Sequence, residues 1–144
     1  MQSFSFVVAL RIWHPSVDPA EVSAVLGLSP RHESRAGDPR ITKKGRALGG
    51  VYAESHWAGD PFNHGEYQSH EDSVEDVFAD VVELLAPHRA FLASLRAQGG
   101  RLHLQVSTHS TRNYALVFPP ELLLAASQLG LCLVHDAYPY PQNW

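Results

Sequence analysis

The stretch FSFVVALRIW, residues 4–13, decides the fold. Phe4, Phe6, Val8, Leu10 and Ile12 fall on one side of an extended chain, and Ser5, Arg11 and Trp13 on the other. A period of two held over ten residues predicts a strand with one buried face. A second stretch, RLHLQVSTH at 101–109, repeats the pattern. Leu102, Leu104 and Val106 point inward; His103, Gln105, Ser107 and His109 point outward. Strands buried on both faces read as continuous apolar runs. Two long strands that each keep a polar face describe a sheet covered on one side only.

Helices supply the cover. After the first strand, Asp18 is a natural N-cap, Pro19 suits the first helical position, Glu21 completes a capping box and Gly27 ends the helix. Val22, Val25 and Leu26 form its apolar stripe. A longer helix begins at Asp72 or Ser73, with Val74, Val77, Phe78, Val81, Leu84 and Leu85 at helical spacing and carboxylates crowding its first turns. Pro87 breaks it, and a further helix buries Phe91, Leu92 and Leu95. A short strand near 32–36 and another at 51–57 fill the glycine-punctuated region between the first two helices. A strand at 114–118, a helix from Pro119–Pro120 to Gln128 and a last strand at 131–138 complete the chain. Both faces of that last strand are partly apolar, which predicts a central place in the sheet. The expected architecture is one α+β domain over residues 1–144. It is a two-layer sandwich, a mostly antiparallel sheet with helices on one face, ferredoxin-like in flavour.

Composition sets limits on function. Hydrophobic residues make up 44% of the 144 and charged residues 18%, a globular balance with no apolar run long enough for a membrane span. The single cysteine, Cys132, excludes an intrachain disulfide and fits a cytoplasmic location. Net charge is −4 but uneven. Residues 31–46 hold six Lys or Arg against two carboxylates, and residues 54–83 hold nine carboxylates and no Lys or Arg. The basic run lacks interleaved aromatics and the chain is acidic, which argues against nucleic-acid binding.

The stretch SHWAGDPFNHGEYQSHED, 55–72, concentrates three histidines, a tryptophan and four carboxylates. His56, His64 and His70 stand eight and six residues apart, without the close pairs of structural zinc sites, and carboxylates are ordinary residues at a helix start. The expectation is a polar connection between strand and helix, with no metal and no cofactor. Cys132 between Leu131 and Leu133 reads as a buried structural thiol, and His135 points to the opposite face of the strand, so no Cys–His nucleophile is expected. Asp136 and Tyr138 share a face and form a candidate polar site; the plainer reading ties Asp136 to backbone and Tyr138 to the sheet edge. Trp57 is either a core anchor or a ligand stack.

The segments DPAEVSAVLGLSP (18–30), Gly37, His56-Trp57 and PPELLLAASQLGLCLVHDAY (119–138) resemble the bacterial family called domain of unknown function 4279. The motifs fall on Leu26, Gly27, Leu28, Pro30, Trp57, Asp136 and Tyr138, and the resemblance spans nearly the whole chain. Where the family pattern has a serine soon after the tryptophan, this chain has Ala58-Gly59-Asp60. The resemblance implies the fold and no established activity. By analogy with other small bacterial families, it suggests an immunity-like or partner-binding module.

Two functions remain in view. One is a non-catalytic module that meets a protein partner, or a second copy in a homodimer, through the open sheet face. Arg11, Trp13, His103 and His109 lie on that face, with Trp57, Asp136 and Tyr138 as further binding candidates. The other is a small-ligand or metal-dependent enzyme using loop 55–72.

Overall fold

A computed structural model describes residues 3–139. The first strand, β1 (Ser5–His14), buries every second residue. Phe6, Leu10 and Ile12 are at most 1% exposed, which makes this strand the spine of the core. Helix α1 (Pro19–Leu26) starts where the Asp18 carboxylate accepts the Ala20 N–H and stops at Gly27, whose φ of 68° is left-handed. It buries Pro19, Val22 and Leu26. Val25, expected in the stripe, sits at its rim and is 36% exposed.

The next region departs most from expectation. It holds β2 (His32–Ser34), a separate hairpin of β3 (Pro39–Ile41) and β4 (Ala47–Val51), then β5 (Ser55–Gly59). The strand expected at 51–57 is thus divided between the hairpin and the sheet. The break falls at residues 52–54, where the chain bends between β4 and β5. Strand β6 (Tyr67–Gln68) follows, and then helix α2 (Val74–Leu85), capped by the Ser73 hydroxyl accepting the Asp76 N–H. Leu84, placed in the stripe, is only half-buried. A 3-10 turn at Ala86–His88 carries Pro87 into helix α3 (Arg89–Ala97). Strand β7 (Arg101–His109), helix α4 (Pro120–Gln128) and strand β8 (Leu131–Tyr138) complete the order.

The sheet runs β2-β5-β1-β7-β8, with β6 pairing β1 beside β5. All pairings are antiparallel except β7 with β8, which α4 joins as a parallel crossover with its strands adjacent. Architecture is therefore α+β in two layers, with the long strands β1 and β7 at its centre. Two expected placements are corrected. Strand β8 is an edge strand, not a central one; its apolar residues serve the helix layer through Leu131 and Leu133, and Val134 is half-buried on the other face. Residues 114–118 form no strand: they cross the rim, with Tyr114 against Phe4 and Phe118 against Phe78.

Candidate functional site

Register assembles the site. Across the face that the helices leave open, Trp13 of β1 stands between His56 of β5 and Arg101 of β7, and Arg11 stands between Ala58 and His103. Side chains of paired residues share a face, so the indole lies among rings and guanidiniums. The His56 ring stacks on it at 5.0 Å between centroids, and His103 meets it edge-on at 4.7 Å. The guanidinium carbons of Arg11 and Arg101 lie 4.8 and 5.2 Å from the ring centre, both within cation–π range.

The two arginines differ in what holds them. Arg101 pairs with Glu54 at 2.9 Å. Arg11 has a long 3.5 Å hydrogen bond to the Gln105 amide oxygen and, among the described residues, no carboxylate partner. The histidines are electrically quiet. Burial first, then the charges of Arg11 and His32, holds His56 down to about 4. Burial, then Arg101 and Arg11, lowers His103 below the usual imidazole range. The Nδ1 atoms of His32 and His56 lie at hydrogen-bond distance, 3.0 Å. Near neutral pH the charge of this patch is therefore that of the arginines, aimed over an aromatic floor.

The other sequence candidates fall elsewhere. His109 is on the same face but 3% exposed, stacked at 4.5 Å on Tyr138, whose hydroxyl donates to Asp136. These three form a second, closed group at the far end of β7 and β8. Trp57 faces the helices: it is 1% exposed and its indole N–H donates to the Ser23 hydroxyl, so it is a core anchor. Cys132 is exposed rather than buried, because its register opposite His103 puts it on the open face.

The histidine-rich stretch is architecture. Its first five residues are strand β5, and Tyr67–Gln68 are β6, so it is more than a connection. Asp60 folds the turn between them, accepting the N–H groups of Phe62 and Gly65 and an ion pair from Arg31 at 3.2 Å. His64 lies flat on Tyr67 at 3.7 Å, and burial, with Asp60, Asp72 and Asp80, pushes the Tyr67 phenol up to about 12. His70 reaches Glu71 at 3.7 Å. His56, His64 and His70 do not converge, and among the described residues no three His, Cys, Asp or Glu side chains form a metal-holding group.

Sequence reading missed two polar clusters. His14, 3% exposed, accepts the Ser16 and Val17 N–H groups at Nδ1; Nε2 therefore carries the proton and donates to Gln98 at 2.7 Å. Thr108, fully buried, bonds Tyr114 at 2.6 Å and His135 at 2.8 Å. Thr108 was findable: it ends the inward column of Leu102, Leu104 and Val106, and a polar group in a core column needs a partner. Both clusters lock loops to strands.

No helix among the described residues is long and apolar enough to cross a membrane. Comparisons with curated proteins and with solved structures give no match. The family model of a domain of unknown function (DUF4279) matches residues 3–140. With nearly all of its length covered, the chain belongs to the DUF4279 family.

Proposed function

We propose that the protein is a non-catalytic binding module whose open sheet face docks an acidic protein partner. One observation carries this reading. Trp13, on a helix-free face, has two guanidiniums within cation–π range, and one of them, Arg11, has no carboxylate partner among the described residues. Tryptophan and arginine are the types that concentrate binding energy at interfaces, and a partner carboxylate would complete the charge of Arg11. The neighbouring His56 and His103, whose proton affinity burial lowers, add contact area without adding charge. An immunity-like role, with a toxin domain as that partner and the cytoplasm as its place of action, is the form of the reading that the family resemblance favours.

The test is the double variant Trp13→Ala with His103→Glu. Both side chains are half-buried on the open face, so the fold is expected to survive. Partner capture from source cells is expected to drop about thirtyfold, the equivalent of a hot-spot loss of about 2 kcal/mol. A folded variant that captures the same partner equally well contradicts the assignment.

A further inference from the structure

The hairpin of β3 and β4 stands apart from the main sheet, and every residue of both strands is exposed. Its cross-strand pairs are Pro39 with Val51 and Ile41 with Ala47, with a shift of register between them. Ile41 is 52% and Val51 56% exposed. Between Pro39 and Val51 the chain carries Arg40, Lys43, Lys44 and Arg46 and no carboxylate, and none of these four cations makes an ion pair among the described residues. An isolated two-stranded hairpin with exposed apolar side chains, here Ile41, Leu48 and Val51, is marginal in water, and this one asks for a cover.

The matching surface is on the same chain. Helices α2 and α4 leave between them a groove of about 350 Å³ floored by Val82, Ala86, Leu122 and Ala125, with Glu83 and Glu121 on its lining. Asp76 and Asp80 add exposed carboxylates on α2, and none of these four acids is ion-paired among the described residues. The hairpin leaves the sheet at its β2–β5 end, and α4 packs against β8 at the opposite end. One chain therefore cannot fill its own groove.

We infer that the hairpin of one copy docks in the α2–α4 groove of a second copy. Exposed apolar side chains meet an apolar floor, and four unpaired cations meet unpaired carboxylates. A two-fold dimer makes the contact twice and closes the assembly. This surface is separate from the open sheet face around Trp13, and its failure leaves that reading untouched.

Sedimentation velocity on the full chain tests it with two charge reversals, Lys43→Glu/Lys44→Glu and Glu83→Lys/Glu121→Lys. All four side chains are exposed, and circular dichroism verifies the fold. The wild type is expected to dimerise with a Kd below about 100 µM, weakening as salt is added. Each reversal alone is expected to weaken association at least about tenfold, and an equimolar mixture of the two variants to restore it, because the reversed hairpin then meets the reversed groove. A wild type that stays monomeric overturns the inference, as does a dimer indifferent to both reversals or a mixture that fails to recover. Binding of a monomeric wild type to phosphatidylserine vesicles through Lys43 and Lys44 would assign the hairpin to lipid and overturn it equally.

Discussion

Trp13 and Trp57 stand on neighbouring strands and do opposite work. Trp57 points into the helix layer and is spent on the core. Replacing it by alanine removes a fully buried indole and its bond to Ser23, and is expected to cost about 3–5 kcal/mol in denaturant unfolding. Trp13→Ala removes a half-buried ring and is expected to cost about 1 kcal/mol or less, because water already reaches the site. His56 gives the residue scale its pH dependence. Its folded-state value of about 4 lies below the ordinary 6.5, so the unfolded chain takes up the proton first as pH falls. The associated stability is complete above pH 6.5 and is lost from there towards pH 4. His103 and His135 are lowered too and act in the same direction. The His56 contribution is on the order of 1–2 kcal/mol after allowance for solvent screening of a half-exposed ring. Denaturant unfolding at pH 7 and pH 4.5 is expected to show the loss, and His56→Gln to make it shallower; an unchanged slope in the variant would assign the loss to other groups.

Among the elements, what was legible was what local chemistry dictates. Alternation in β1 and β7, the Asp18–Pro19 start and Gly27 stop of α1, and the stripe of α2 could all be read from neighbouring residues. Partner choice could not. YALVF at 114–118 has strand composition, yet it joins no strand and instead packs Tyr114 on Phe4 and Phe118 on Phe78. Strand β8 has two partly apolar faces for an edge reason: its helix side packs under α4 while its open side shelters Val134 and Tyr138. The hairpin was invisible because β3 is three residues long and β4 carries two glycines. The site divided similarly. That Arg11, Trp13 and His103 share a face followed from period two alone. That His56 and Arg101 close on the same indole depended on strand register, which sequence left open. The two kinds of element should also differ in energetic weight. Ile41→Ser in the hairpin is expected to change monomer stability by no more than about 0.5 kcal/mol, and Leu104→Ala in β7 to cost about 2–5 kcal/mol. Thermal and denaturant unfolding compare them directly; similar costs would mean that the hairpin is integrated with the core.

At the scale of the whole molecule, one surface of the sheet is committed to helices and the other is left to arginine, histidine and tryptophan. The central claim is that this second surface meets another protein. The most direct measurement is site-specific photo-cross-linking in source cells. One photoreactive residue replaces Gln105, at the middle of the open face beside Arg11; another replaces Ala93, exposed on α3 in the helix layer. The account predicts a defined adduct with a different protein from position 105, lost when Trp13 is also changed to alanine, and no such adduct from position 93. An adduct with that protein from position 93 alone, or one from position 105 that is indifferent to Trp13, would contradict it.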